Sequence, residues 1–210
     1  MTGNNSNPDR AALIAFVIAV IVLGVNFVAV RFSNQELPPF WGASLRFLAA
    51  TILLFGIVRW RNLPLPRGPA LTGAVLFGLF SFAISYAFLY WGLTRVSSGM
   101  ASVLFAAIPL VTQLIASLIG QERLTWRGML GALIVIVGIA IVFMEQLRFD
   151  VPFVYMGAVL LGVLSSALSG IVVKQYPKSH PVSTNVLGMG IGAVLLLLLS
   201  IFAGESQGLP

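Results

Sequence analysis

Seven long apolar segments constrain the fold of this chain more than any other feature. A hydrocarbon core about 30 Å thick is crossed by about 20 helical residues, because an α-helix rises about 1.5 Å per residue. Only 9% of the 210 residues are charged, against about 25% in an ordinary soluble domain. We therefore predict an all-α polytopic membrane protein with seven transmembrane helices, at residues 11–30, 40–58, 70–93, 97–119, 127–144, 153–173 and 183–203.

Two other interpretations of these segments are weaker. A membrane β-barrel shows alternating segments of about 10 residues, whereas this chain has continuous apolar runs such as residues 194–201. The first segment is too long for a secretory signal, and no small-residue cleavage site follows it before Arg31. It is predicted to be retained as the first span.

Basic residues predict the orientation of the spans. With a cytoplasmic N-terminus, the outer side receives Arg31, Arg95 and Arg148, and Arg46 lies inside the second segment. The inner side then receives eight, namely Arg10, Arg59, Arg61, Arg67, Arg123, Arg127, Lys174 and Lys178. This asymmetry follows the positive-inside rule. It predicts a multi-pass protein of the cell inner (plasma) membrane with the N-terminus in the cytoplasm and the C-terminus outside.

An internal repeat is indicated by residues 23–32, LGVNFVAVRF, and residues 166–175, SALSGIVVKQ. This match places the sixth span on the first, so the repeat unit has five spans, and an odd number of spans inverts the second copy. We predict a cytoplasmic tail at 1–10, a first repeat at 11–144 and the start of a truncated second repeat at 153–210. A seven-span design of its own is the less favoured alternative.

Three blocks of sequence carry a family resemblance: residues 23–31 in span one, residues 37–50 leading into span two, and residues 87–143, which contain a mid-span proline, Gly-x-Glu-x-Leu and a Gly-rich span. The chain resembles EamA-type transporters of the drug/metabolite transporter superfamily. The resemblance implies ten helices in an inverted five-plus-five repeat, and export or uptake of small metabolites such as amino acids.

Arg46 and Asn26 are the polar side chains that most need an explanation, since both lie within apolar segments. A charge at mid-helix costs about 2.5–3.5 kcal/mol on insertion scales. Arg46 either binds a substrate carboxylate or phosphate through its planar fork, or extends its side chain to the interface. Asn26 either binds substrate or hydrogen-bonds another helix.

Four further residues complete the predicted substrate-binding set. Tyr86 and Tyr90 stand four residues apart and share one face of span three, where they line a cavity or, for Tyr90, anchor the helix at the interface. Pro109 interrupts span four and predicts a kink that frees the carbonyl of Phe105. Gln113, one turn on, projects into the same path or bonds a neighbouring helix.

Small residues at spacing four predict close helix packing. They form three stripes, in spans four, six and seven: Ser98, Ser102 and Ala106; Gly162, Ser166 and Gly170; Gly188 and Gly192.

The sequence offers few side chains for catalysis or metal binding. The sequence has no cysteine, no Asp or Glu inside a predicted span, and a single histidine, His180, in a loop. We expect no enzyme activity, cofactor, metal site or nucleic-acid binding. We expect instead a lipid bilayer and a small-molecule substrate as partners, and alternating access between the repeats. A homodimer or a complementing chain stays open as a partner, and a truncated, non-transporting membrane remnant or scaffold is the alternative function.

Overall fold

The computed structural model describes residues 8–121, 126–146 and 152–208, which are helical with no strand in these ranges. The helices are α1 (Pro8–Glu36), α2 (Pro39–Trp60), α3 (Pro69–Gly78), a π-helix (Leu79–Ile84), α4 (Ser85–Gly92), α5 (Ser98–Phe105), α6 (Ile108–Leu118), α7 (Trp126–Gln146), α8 (Phe153–Gln175) and α9 (Pro181–Phe202). The π-helix runs directly from α3 into α4. The all-α polytopic fold predicted from the sequence is confirmed.

The structure modifies the prediction of seven spans in one respect. Within the described ranges, six helical segments are long and apolar enough to cross a membrane. The fifth predicted span coincides with α7, whose apolar stretch, Gly128–Ile141, is shorter. Residues 8–10, expected in the tail, already belong to α1, whereas residues 1–7, Glu122, Arg123 and Arg148 lie outside the described residues.

The first predicted span ends too early, at residue 30, because α1 continues to Glu36. The guanidinium of Arg31 donates hydrogen bonds to the carbonyls of Leu93, at 3.3 Å, and Val96, at 2.6 Å, and Asn34 donates to the carbonyl of Tyr90 at 3.0 Å. These carbonyls lie at or just after the C-terminus of α4, where helical partners run out. A positive charge there also complements the helix dipole. The tertiary contacts therefore explain the additional helical turns.

The C-terminus of α9 directs the chain back towards α2. Gly204 has φ 68°, and the amide of Glu205 donates to the carbonyl of Ser200 at 3.0 Å, which is a Schellman end. The turn brings the Glu205 carboxylate to the N-terminus of α2, where it accepts from the amides of Phe40, at 3.2 Å, and Trp41, at 2.9 Å. Helices α2 and α9 are thus joined at one end.

Small residues allow α9 to pack closely along α2 and along the π-helix. The Ser44 hydroxyl on α2 donates to the carbonyl of Ala193 at 2.9 Å. A Cβ on Gly192 would lie 2.6 Å from Cβ of Phe82, and a Cβ on Gly78 would lie 2.7 Å from Cα of Gly188. The packing role predicted for the glycine stripe of span seven is confirmed by these approaches.

Two spans are interrupted. Span four breaks between Phe105 and Ile108, just before Pro109, as the proline predicts. Span three contains the π-helix, which the sequence analysis did not predict. There the carbonyl of Phe80 accepts a hydrogen bond from the Ser165 hydroxyl of α8 at 2.7 Å. Such turns frequently occur at functional sites.

α1 and α8 differ sharply in burial. Only 13% of the apolar window of α1 is buried inside the structure, against 50% for α8. α8 packs against α4 and α6, whereas α1 contacts mainly α5 and α2. Most large apolar side chains of α1 from Leu13 to Val28 are exposed.

Candidate functional site

Arg46 forms a hydrogen-bonded set with residues of two other helices. Its guanidinium donates to the amide oxygen of Asn26 on α1 at 2.7 Å and to the hydroxyl of Tyr90 on α4 at 3.2 Å. Arg46 follows Pro39 by seven residues, so it lies about 10 Å along α2. Three of the six predicted site residues therefore meet at one point, which we call the Arg46 set.

The guanidinium of Arg46 has more N–H groups than its two partners use. Both partners in the Arg46 set are neutral, and no carboxylate from the described ranges pairs with the guanidinium. A guanidinium has five N–H donors in a planar fork. The Arg46 side chain is exposed, whereas Tyr90 is 1% exposed. The arrangement holds the cation in a fixed place and leaves N–H groups available to an anion.

Aromatic rings support this set from α2, the π-helix and α4. Tyr86 lies 6.3 Å from Tyr90 and 4.7 Å from Phe47 between ring centroids, and Phe47 lies 5.3 Å from Phe82. The pairs of Phe47 with Tyr86 and with Phe82 are edge-to-face, and such pairs contribute about 0.5–1.5 kcal/mol each beyond area burial. These contacts restrict the position of Tyr86, against which Tyr90 packs.

A cavity of about 450 Å³ adjoins the Arg46 set. Asn26 and Tyr86 line it together with apolar side chains of five helical segments, and Ser81, Ser102 and Ser166 add hydroxyl groups. Its volume lies within the range of about 300–1,000 Å³ usual for small-ligand sites. The cavity thus combines an apolar wall with a few polar groups, as ligand sites do.

Pro109 and Gln113 are placed differently from the other predicted residues. Pro109 is exposed, and its neighbours Phe105, Ala106 and Ile108 line the cavity instead. A Cβ on Gly128 would lie 3.0 Å from Nε2 of Gln113, so this side chain lies against α7. The helix break before Pro109 shapes the wall of the cavity. Gln113 is placed for contact between α6 and α7.

The sequence analysis did not identify the serines beside the cavity as hydrogen-bonding residues. The hydroxyl of Ser85 donates to the carbonyl of Gly162 at 2.8 Å and lies 2.7 Å from the hydroxyl of Ser166. The spacing of Gly162 and Ser166 predicted a packing face on α8, and Ser85, which is fully buried, is the residue packed against it. A serine within an apolar span was the available signal.

These features define a class of protein: a polytopic α-helical membrane protein with a cavity and a cation held between its spans. The sequence profile of the EamA-like transporter family matches residues 10–144. The chain belongs to this family.

Curated relatives extend beyond this chain. It is 27% identical to an uncharacterized transporter of Buchnera aphidicola, with 90% of this chain and 65% of the relative covered. It is 28% identical to the uncharacterized inner membrane transporter YedA of Escherichia coli, with 88% and 60% covered. A WAT1-related chloroplastic protein of Arabidopsis thaliana is 29% identical, with 85% and 44% covered. The chain thus spans less than two-thirds of each relative, and no solved structure gives a significant match.

Proposed function

We propose that this chain provides the first five spans and the start of an inverted second repeat of an inner-membrane transporter. The transporter moves small metabolites such as amino acids by alternating access. The observation that carries the proposal is Arg46, a cation within a membrane helix whose two hydrogen-bond partners are neutral. The naming of the Escherichia coli relative as an inner membrane transporter supports the location.

The proposed chemistry follows from the Arg46 set. A charge in a span is costly and marks a substrate pathway by default. A substrate carboxylate bound at the unused N–H groups would neutralise Arg46, and charge-assisted hydrogen bonds contribute about 1.5–3 kcal/mol each. The apolar remainder of the substrate would occupy the 450 Å³ cavity, against Phe27 and Phe82.

Helix packing supports the proposed inverted repeat. If α8 corresponds to α1, then α4 and α6, which pack on α8, have counterparts that pack on α1. Those counterparts would be the eighth and ninth spans. They would cover the apolar surface that α1 leaves exposed and close the side of the cavity next to Asn26.

The test is transport by proteoliposomes that contain the chain extended along its reading frame to ten spans. We expect uptake of radiolabelled amino acids or other small carboxylates, and a loss of about tenfold or more in Arg46→Gln, because at least one charge-assisted hydrogen bond is removed. Arg59→Gln is the matched control, since Arg59 is an exposed arginine at the end of the same helix.

The possible outcomes distinguish a transporter from a truncated, non-transporting remnant or scaffold. If the extended protein moves no small metabolite, the transporter proposal is wrong. If Arg46→Gln transports as well as the control, transport stands but Arg46 has no part in substrate binding. If the extended protein transports and residues 1–210 alone do not, these residues act only as part of the longer protein.

A further inference from the structure

A second cavity, of about 220 Å³, lies between the C-terminal end of α2 and the start of α9, at the end of the molecule opposite to Glu205. Its lining consists of Ile57, Trp60, Arg61, Leu63, His180 and Val182. The cavity shares no lining residue with the cavity beside the Arg46 set.

Polar and apolar groups in this cavity are arranged as at a membrane interface. Ile57, Leu63 and Val182 provide aliphatic walls, and Arg61 provides a cation at the end of α2. Trp60 is 80% exposed, and tryptophan is enriched at the level of lipid headgroups. A molecule with an apolar chain and a negatively charged head matches both parts of the lining.

His180 supplies an independent observation. Its Nδ1 is buried and has no hydrogen-bond partner within the described part of the chain. A buried polar atom without a partner is costly, so such atoms are usually satisfied by a ligand or water. The backbone carbonyl of His180 is already used, because it accepts from the amide of Thr184 at 3.0 Å. Nδ1 of His180 is thus the buried group that still lacks a hydrogen-bond partner among the described residues.

Charge around the cavity indicates the sign of the ligand. Arg59, Arg67 and Lys178 belong to the same end of the molecule as Arg61, and all three are exposed. Basic pockets between transmembrane helices bind anionic lipid headgroups, and a guanidinium matches the geometry of a phosphate. A free phosphate would use the cation but not the aliphatic walls.

We propose that this cavity binds the phosphodiester head of an anionic phospholipid, held by Arg61 and His180, with the start of its acyl chains against the aliphatic walls. The lining of this cavity includes no residue of the Arg46 set. The bound lipid would connect α2 and α9 at the end where Glu205 does not.

The experiment is native mass spectrometry of the protein reconstituted from phosphatidylcholine vesicles with and without phosphatidylglycerol. We expect phosphatidylglycerol to be retained in preference to phosphatidylcholine. Arg61→Gln and His180→Phe should each lower its retention about tenfold, because each removes one hydrogen bond to a charged group. Arg59→Gln, a matched loss of charge outside the cavity, should leave retention unchanged.

Three results would overturn the assignment. Retention equal to the unaltered protein in both cavity variants excludes the site. An equal loss in Arg59→Gln shows a diffuse effect of charge. Displacement of the lipid by millimolar inorganic phosphate shows a free-anion site instead. Thermal unfolding is measured for every variant, and Arg61→Gln carries the test if His180→Phe does not fold, because Arg61 is exposed.

Discussion

The contact between Arg46 and Asn26 allows the charge of Arg46 to be altered without removing its side chain. Asn26→Asp keeps the shape of the side chain and places a carboxylate where the amide oxygen now lies 2.7 Å from the guanidinium. We expect the new ion pair to neutralise Arg46 and to compete with a substrate anion. Transport by the extended protein should fall about tenfold or more, while thermal stability is retained.

Asn26→Leu is the contrasting variant for this prediction. It removes the hydrogen bond but leaves Arg46 without a competing carboxylate, so stability should fall by about 1 kcal/mol and transport should fall less than in Asn26→Asp. Comparable transport in Asn26→Asp and the unaltered protein would contradict the anion-binding role of Arg46.

Glu205 gives a second prediction for a single side chain. Its carboxylate accepts from two amides at the N-terminus of α2, where Pro38 provides no side-chain cap. Glu205→Gln removes the negative charge that complements the helix dipole, so the free energy of unfolding should fall by about 1 kcal/mol. Hydrogen exchange at the amides of Phe40 and Trp41 should accelerate.

Glu36→Gln is the control, because Glu36 is exposed at the end of α1. Unchanged exchange at Phe40 and Trp41 in Glu205→Gln would show that the carboxylate does not cap α2 in the membrane.

Sequence alone reveals some of these side chains and not others. Arg46 and Asn26 can be selected because a polar group within an apolar segment requires a partner. The role of Glu205 cannot be predicted, because its partners are backbone amides 164 and 165 residues away and it lies in a polar segment that resembles a loop. The role of Arg31 depends likewise on carbonyls 62 and 65 residues away.

At the scale of helices, the approach of α9 to the π-helix gives a third prediction. In Gly192→Ala the new Cβ would lie 2.6 Å from Cβ of Phe82, an atom that cannot move without its backbone. We expect a loss of about 1–3 kcal/mol in stability, measured by thermal unfolding in detergent. Gly190→Ala is the matched control, because its Cβ would meet Thr51 at an ordinary 3.5 Å. Equal stability of the two variants would contradict the close packing of α9 here.

The interruptions of the helices differ in how far the sequence predicts them. Pro109 predicts the break in span four, because proline lacks the amide hydrogen that a continuous helix needs. No comparable residue marks the π-helix at Leu79–Ile84. The residues that contact the π-helix come from distant parts of the sequence. Glycines of α9 approach it on one side, and the hydroxyl of Ser165 on α8 donates a hydrogen bond to the carbonyl of Phe80. The approximate positions of the spans follow from composition, whereas the π-helix cannot be predicted from local sequence.

For the whole molecule, the prediction concerns topology. If the shorter α7 crosses the membrane together with the six longer helices, seven crossings would place the two ends of the chain on opposite sides. With eight basic residues on the predicted inner side against three outside, we expect a C-terminal alkaline phosphatase fusion to be active. A fusion after Trp60, at the end of the second span, should be inactive. An inactive C-terminal fusion combined with an active cytoplasmic reporter at the same point would show that α7 does not cross or that the orientation is reversed.

The sparse packing of α1 has a consequence for the order of events during synthesis. Arg31 is bonded to Leu93, 62 residues later in the chain. At about 5–20 residues per second, the ribosome needs about 3–12 s to make that stretch. During this time α1 has no access to these partners and must persist in the bilayer as a nearly isolated helix. Its exposed apolar surface from Leu13 to Val28 is compatible with contact with lipid during that time. The side chains that later bond to α4 and the residues after it, Arg31 and Asn34, lie near the helix end, where headgroups and water can solvate them until α4 is made.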